Sequence, residues 1–483
     1  MTTRAEAVAA YPALRLFIDG EWLGEGSLPV VDPSTEAELG RLPAVSAAEL
    51  DRAFAAAERA WPAWRRVPAL ERARLILRAV AWLRERREEW AALITLELGK
   101  PLAQARLETD TACEMFEWAA EECRRLYGRQ VPSRTGTMRM TASIEPIGPV
   151  AAIGGWNAPA ITPARKIAGA IAAGCTIVMK PSEATPASAL MIARAFEAVG
   201  LPNGVVNMVF GDPPTIGTAF ATDPRIRMLT FTGGGRVGKM LAAQATDTLK
   251  RVVLELGGHA PAMIFADCDA EAVAKAAATA KFRNSGQICT SPTRFLVERS
   301  IHDRFLAAFG EAAAAIRVGD PFEDGVAMGP LQNARRRSDI AALVDDARER
   351  GATVRQGVAP SGAGFFHPPT LLSGLDPAAR ALNEEPFGPI ALVVPMDDVD
   401  AIIAEANRMS FALASYAFTN DLRLAERLGR EIEAGTLAIN HWQASWPETP
   451  FGGWKESGVG LEGAAEGLMA FCQTRFVSVQ SGG

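Results

Sequence analysis

Through its first quarter the chain sets Ala, Leu, Ile and Trp at helical spacing, with Arg and Glu in the positions between. The pattern predicts helices over 47–64 and 69–90. Gly99-Lys100-Pro101 interrupts it, and a further amphipathic helix runs to about Arg125. Residues 130–147 are polar and turn-rich and read as extended chain. From 149 onward, short β-branched apolar runs alternate with Ala-rich helical stretches. Strands are expected at 149–153, 176–179, 205–210, 228–231 and 252–254, with helices at 162–173, 186–199, 214–221 and 236–247 between and after them. Such alternation builds a parallel, doubly wound sheet, and these sheets bind ligands beyond the carboxyl ends of their strands. After Gly257-Gly258 the alternation restarts with helix 270–283, strand 294–298 and helices 301–316 and 333–350, then continues to about 440 as a second α/β unit. The tail 475–479 alternates as an edge strand does, which suits pairing with another subunit.

Composition narrows the class without changing this picture. A chain of 483 residues has room for two or three domains, and 48% hydrophobic with 22% charged residues is ordinary for a globular protein. The net charge of −6 is spread along the chain, so neither nucleic acid nor an anionic membrane is called for as a partner. The N-terminus lacks a continuous apolar stretch, so no secretory leader is expected. No run approaches the roughly 18 apolar residues of a membrane span. Six cysteines lie far apart, too sparse for a disulfide scaffold, and four histidines are scattered. With no CxxC or HExxH, no metal site is expected, and a reducing cytoplasm fits best.

Four segments at strand ends or turns carry candidate chemistry. In Trp156-Asn157-Ala158-Pro159 an Asn amide can donate to a developing oxyanion, though Asn and Pro are also ordinary turn residues. In Lys180-Pro181-Ser182-Glu183 the charged pair can hold the hydroxyls of a ribose, or can simply be a solvated turn. Phe231-Thr232-Gly233-Gly234-Gly235-Arg236-Val237-Gly238 is a Gly-rich strand-to-helix turn whose N–H groups suit phosphate, without the usual GxGxxG spacing. The fourth is a pair of segments, Glu255-Leu256-Gly257-Gly258 and Asn284-Ser285-Gly286-Gln287-Ile288-Cys289. A cysteine is a nucleophile only as thiolate, and most lone cysteines are small core hydrophobes.

In order and spacing, these segments resemble the aldehyde dehydrogenase superfamily. The resemblance runs from Phe17-Ile18-Asp19-Gly20 to Phe451-Gly452-Gly453-Trp454-Lys455-Glu456-Ser457-Gly458, with Glu384-Glu385-Pro386-Phe387-Gly388-Pro389 between. It implies an α/β fold of two doubly wound parallel-sheet domains with a small β oligomerisation arm. Residues 1–125 and 147–257 would form the NAD-binding domain, 258–445 the catalytic domain, and 126–146 with 462–483 the oligomerisation segment of a homodimer or homotetramer. It also implies that Cys289 is the nucleophile, that Asn157 and the Cys289 N–H form the oxyanion hole, and that Glu255 activates water to hydrolyse a thioester. Trp156, Lys180, Ser182 and Glu183 would then contact the cofactor, Lys180 and Glu183 at the adenosine ribose. Gly233 and Gly238 would shape the turn near the pyrophosphate, Glu385 would bind the nicotinamide ribose and Phe387 would pack beside the ring. A Glu at 183 suits a free 2′-hydroxyl, so NAD is expected over NADP. The family's frequent Ser after the first Gly of the Phe-Thr-Gly turn is replaced here by Gly234.

For the substrate, a small-molecule aldehyde, Arg165, Arg283 and Ser445 resemble the positions with which succinate-semialdehyde dehydrogenases hold a distal carboxylate. Guanidinium forks bind carboxylate bidentately. Against this, Arg165 reads equally as a surface helix residue and Arg283 as half of a structural ion pair. Ala158 is small, and Trp442 and Trp446 bring aromatic surface to the entrance, so an uncharged aliphatic or aromatic aldehyde is the alternative. Ser291 stands where some semialdehyde enzymes carry a second Cys, which argues against a redox disulfide. A non-catalytic protein retaining the fold is disfavoured by the intact set Cys289, Glu255 and Asn157.

Overall fold

The structure is a computed structural model and describes residues 3–480. Five of the apolar runs form the parallel middle of an eight-stranded sheet, in the spatial order Val206–Met208, Ile177–Lys180, Val150–Ile153, Met228–Thr232, Arg251–Glu255. The three inner strands are buried along nearly their whole length, because helices cover both faces. That is why they read as unbroken apolar runs rather than alternating ones. From Val150–Ile153 the chain first moves outward on one side, through Ile177–Lys180 and Val206–Met208. It then returns to add Met228–Thr232 and Arg251–Glu255 on the other side. The strand order therefore reverses between Val150–Ile153 and Met228–Thr232, and the loops leaving their carboxyl ends diverge to open a crevice.

Two short antiparallel additions close the sheet's edges. Leu16–Ile18 and Glu21–Leu23 form a hairpin beside Val206–Met208. Its turn, Asp19-Gly20, has both residues at positive φ, the geometry a two-residue hairpin requires. At the other edge Gly458–Val459 pairs with Leu254 and Glu255. These strands were not expected from the sequence, since two or three residues are too few to show a period. The helix expected over 69–90 is in fact two, Ala69–Glu85 and Arg87–Leu98, parted at Arg86 where φ is −110° and ψ 22°.

The second unit is a seven-stranded sheet. Six parallel strands lie in the order Thr370–Ser373, Ile390–Met396, Arg294–Glu298, Pro261–Ile264, Ala414–Phe418, Thr436–Ile439, with Thr353–Gln356 antiparallel at one edge. Helices Ala270–Phe282, Arg299–Ala314 and Ala334–Glu349 fall where the sequence put them. The tail is an edge strand, as expected. Cys472–Gln480 pairs within its own chain, residue for residue with Met138–Pro146, which in turn pairs with Arg129–Val131. The expected segment 462–483 also contains the helix Ala464–Ala470, and its residues 481–483 lie outside the described ones. No helix among the described residues is long and apolar enough to cross a membrane, and no metal-ligating cluster is found among them.

Candidate active site

The crevice between the two sheets is a cavity of about 630 Å³. Asn157, Glu255 and Cys289 all line it, delivered by three different elements. Asn157 follows Val150–Ile153. Glu255 is the last residue of its strand, in register with Thr232 on one side and Gly458 on the other. Cys289 follows a turn in which Asn284, Ser285 and Gly286 all take left-handed φ, at 51°, 56° and 69°. Two non-glycine residues in that region are strained, and side-chain hydrogen bonds hold them there. Asn284 Nδ2 donates to the Asn157 carbonyl at 3.0 Å and to the Gln287 carbonyl at 3.2 Å, and Ser285 Oγ donates to the Gly329 carbonyl at 2.8 Å. Gly258 packs against the same loop so closely that a Cβ there would lie 2.6 Å from the Cys289 carbonyl oxygen. Asn157 Nδ2 donates to the Gln287 carbonyl at 3.1 Å, so the amide already faces the nucleophile's loop.

Burial dominates the electrostatics. Glu255 is 4% exposed, neither carboxyl oxygen has a hydrogen-bond partner in the protein, and its pKa is raised well above the usual carboxylate range. Desolvation is the main cause and the nearby Glu462 adds to it, while Arg165 and Lys166 oppose. The Cys289 thiol is pushed up to about 12, by burial first and then by Glu255 and Glu385, with Arg165 opposing. In this state the Cys289 thiol holds its proton at neutral pH.

The expected cofactor residues divide into two groups. Trp156, Gly233, Glu385 and Phe387 line the cavity with Cys289. Phe387, at φ 45°, meets Trp156 edge-on with ring centroids 5.5 Å apart. The Gly258 N–H donates to Glu385 Oε1 at 2.9 Å, and a Cβ on Gly257 would lie 2.3 Å from Glu385 Oε2, so the carboxyl rests against bare backbone. Burial pushes the Glu385 pKa to about 7. Lys180, Ser182 and Glu183 lie beyond the cavity, at the end of Ile177–Lys180. Lys180 Nζ donates to Glu183 at 2.7 Å, Glu183 Oε1 accepts the Gly211 N–H at 3.0 Å, and Ser182 Oγ accepts the Ala184 N–H at 3.2 Å. Gly238 corrects its expectation. It is buried inside the helix Gly235–Ala245, where a Cβ would sit 2.5 Å from the Leu256 side chain. Its part is close packing of the helix against Leu256, just past the end of Arg251–Glu255, rather than the turn itself. The turn is left to Gly234 and Gly235, where an added Cβ would meet nothing within 4 Å, and to helix N–H groups with no side-chain cap. An uncapped helix start opening on bare glycines fits a pyrophosphate, so the donor set suits a dinucleotide.

In the same cavity, Arg165 Nη2 donates to Ser445 Oγ at 3.1 Å, its guanidinium carbon lies 4.3 Å from the centre of the Phe451 ring, and its buried Nε has no partner. Arg283 lines the same cavity, exposed, and its side chain makes no ion pair or hydrogen bond among the described residues. The surface-helix alternative for Arg165 and the ion-pair alternative for Arg283 both fail.

A thiol, a buried carboxyl and an Asn amide therefore converge beside a dinucleotide-shaped turn. The aldehyde dehydrogenase family profile matches residues 22–477. The chain belongs to the aldehyde dehydrogenase family. It is similar to 4-(hydroxymethyl)benzenesulfonate dehydrogenase of Comamonas testosteroni, 43% identical over 470 residues that cover 97% of this chain and 98% of that one. It is also similar to the NADP-dependent succinate-semialdehyde dehydrogenase of Escherichia coli K12, 38% identical over 466 residues, 96% of this chain and 97% of the relative. Among solved structures, betaine aldehyde dehydrogenase of Staphylococcus aureus in complex with NAD⁺ superposes with a TM-score of 0.96 at 30% identity, covering 99% of this chain and 97% of that one. This aldehyde dehydrogenase is thus an oxidoreductase of a family that uses NAD(P).

Several residues that shape the aldehyde dehydrogenase site were not found from sequence. Lys100 and Glu108 form a buried ion pair, in which Lys100 also donates to the Asn157 carbonyl at 3.3 Å and Glu108 accepts the Ala160 N–H at 2.9 Å. Together they fix the turn carrying Asn157. Arg336 Nη2 donates to the carbonyls of Pro386 at 2.6 Å and Phe387 at 3.1 Å and so holds the left-handed Phe387. Glu462 accepts from Lys166 at 2.6 Å and from Thr230 at 3.0 Å. Lys281, fully buried and pushed down to about 7 by desolvation, donates to Ser291 at 3.3 Å beneath the nucleophile's loop. In the sequence Lys100 marks only a helix break. The others carry no local signal, because their partners are distant in sequence or fixed by tertiary packing.

Proposed function

We propose that the chain catalyses NAD-dependent oxidation of an aldehyde carrying an anionic group at its far end, through a thioester on Cys289 that water hydrolyses. The observation that carries the substrate reading is Arg165, held on Ser445 with its Nε unpartnered, lining the cavity that Cys289 lines, with Arg283, whose side chain has no ion pair among the described residues, lining it too. Two guanidinium groups in one cavity, neither in a salt bridge among the described residues, suit a carboxylate or sulfonate ligand. The named substrates of the Comamonas and Escherichia relatives also carry such groups.

Cys289 Sγ bonds to the aldehyde carbon and its proton leaves to solvent. The new oxyanion accepts from Asn157 Nδ2 and the Cys289 N–H. A nicotinamide held by these residues would supply the hydride acceptor, and loss of hydride from the adduct's carbon would leave an acyl thioester on Cys289. Glu255, as carboxylate, takes a proton from water attacking that thioester; the C–S bond breaks, the thiolate regains a proton and the acid departs. Lys180, Glu183, Glu385 and Phe387 would hold the cofactor. Glu183, already bound to Lys180 and the Gly211 N–H, would meet a 2′-phosphate with like charge, which favours NAD. The six unpaired cysteines suit a reducing cytoplasm. The free edge of Cys472–Gln480 suits assembly into a homodimer or homotetramer.

The test compares kcat/KM for succinate semialdehyde, the smallest convenient member of the class, with that for hexanal and benzaldehyde. Arg165→Ala should reduce the ratio by the about 1.5–3 kcal/mol of a charged hydrogen bond. An unchanged ratio removes the anion clamp. It would favour the second reading, uncharged aldehydes, for which the apolar wall around Trp442 is the supporting feature.

A further inference from the structure

We propose that the spacer between the two ends of this enzyme's substrate is an aromatic ring: the aldehyde bears its formyl group and a carboxylate or sulfonate at opposite ends of one ring. The inference rests on the anion clamp proposed above and names what lies between the clamp and Cys289.

The cavity that the clamp and Cys289 share has large apolar side chains in its walls, Leu107, Met115, Ile161, Trp442 and Phe451 among them. Leu107 is 62% exposed, so a large hydrophobic side chain is left for the occupant to cover. Ala158, next to the oxyanion-hole Asn157, contributes only a methyl group, which leaves width immediately beside the reacting carbon. Two methylenes, the whole spacer of a four-carbon semialdehyde, are narrow beside five such side chains. A ring brings more dispersion contact and more apolar area to the same walls.

The walls are also fixed. Trp442 is stacked among Phe418, Tyr416 and Phe295, at centroid separations of 4.5, 5.3 and 6.2 Å, so it cannot swing in to fill space around a thin chain. The clamp is equally fixed, with Arg165 held over Phe451 and bonded to Ser445. A rigid clamp and a rigid nucleophile set one separation between anion and aldehyde. A para-substituted ring meets a fixed separation without freezing rotors, whereas a flexible chain must order several bonds. Carboxylate and sulfonate share the delocalised oxyanion that the guanidinium groups recognise, and two arms of the test separate them.

The experiment measures kcat/KM with NAD for 4-formylbenzoate, 4-formylbenzenesulfonate, succinate semialdehyde and benzaldehyde. One or both aromatic anions should exceed succinate semialdehyde and benzaldehyde by about tenfold or more, and whichever leads names the anion. Trp442→Ala should cost the aromatic anions about tenfold more than it costs succinate semialdehyde. Calorimetry on the unaltered protein gives a readout independent of turnover and of the variant's folding, with terephthalate, the expected product, binding more tightly than succinate. Succinate semialdehyde matching or beating both aromatic anions, with succinate binding as tightly as terephthalate, overturns the ring while leaving the anion clamp standing. Benzaldehyde matching 4-formylbenzoate overturns the clamp itself and the ring-anion proposal with it.

Discussion

At the scale of single residues, the site is set by charges kept out of water. The Cys289 thiol, pushed up to about 12 mainly by burial, is neutral at pH 7 before cofactor and aldehyde arrive. Thiolate is the reactive form, so its alkylation by iodoacetamide in the cofactor-free protein should rise about tenfold per pH unit to beyond about pH 10. A plateau below about pH 8 would contradict the burial argument. Glu255 has the opposite requirement, since it must be ionised to take a proton from water, and its raised pKa makes hydrolysis fall off as pH drops through that value. Glu462 contributes to the rise, so Glu462→Gln should move the rising limb of the kcat–pH profile to lower pH; a limb that stayed put or moved up would exclude the coupling. At the adenosine end, Glu183→Ser removes the carboxylate and should narrow the NAD-over-NADP ratio of kcat/KM by about tenfold. The wild-type ratio favouring NADP would refute the preference outright. Cys289, Glu255, Asn157 and the Arg165–Ser445 pair were legible because each sits in a distinctive local motif or resembles one. Arg336, Glu462 and Lys100 were not, since each works through partners that folding brings near.

Among elements, loops leaving parallel strands carry the chemistry, and glycines set how closely they approach. A Cβ at Gly258 would lie 2.6 Å from the Cys289 carbonyl, a backbone atom that cannot turn aside. Gly258→Ala should therefore displace the nucleophile and lower kcat/KM by about 10²-fold; near-normal kinetics would show that the loop yields. Arg336→Ala frees the carbonyls of Pro386 and Phe387, and with them the left-handed Phe387. It should raise KM for NAD more than KM for aldehyde, a split that a general loss of stability does not produce. The sheets themselves were readable because buried parallel strands write unbroken apolar runs. The hairpin at 16–23 and the break at Arg86 were not, the first for want of length and the second because helical spacing continues across it.

For the whole molecule, the three-stranded sheet of Cys472–Gln480, Met138–Pro146 and Arg129–Val131 is the part least satisfied by its own chain. Residues 473–480 are exposed on both faces, and Phe476, Val477 and Val479 are apolar at 58%, 38% and 46% exposure. An apolar strand with a free edge is a template for pairing. Phe476→Asp combined with Val479→Asp should reduce the mass seen in sedimentation; an unchanged mass would move the interface elsewhere. The sequence marked this tail as a strand in search of a partner. It could not show that the partner nearest at hand is residues 138–146 of the same chain, since alternation specifies a strand but not its neighbour.

The central claim is that oxidation passes through a thioester on Cys289 that Glu255 helps water to break. The direct measurement is peptide-resolved mass spectrometry of the Glu255→Gln protein after mixing with NAD and 4-formylbenzoate or succinate semialdehyde. The account predicts one burst of NADH matched to the enzyme and, on the peptide carrying Cys289, a gain of the aldehyde's mass less a pair of hydrogens. Sustained NADH production with Cys289 unmodified would contradict it.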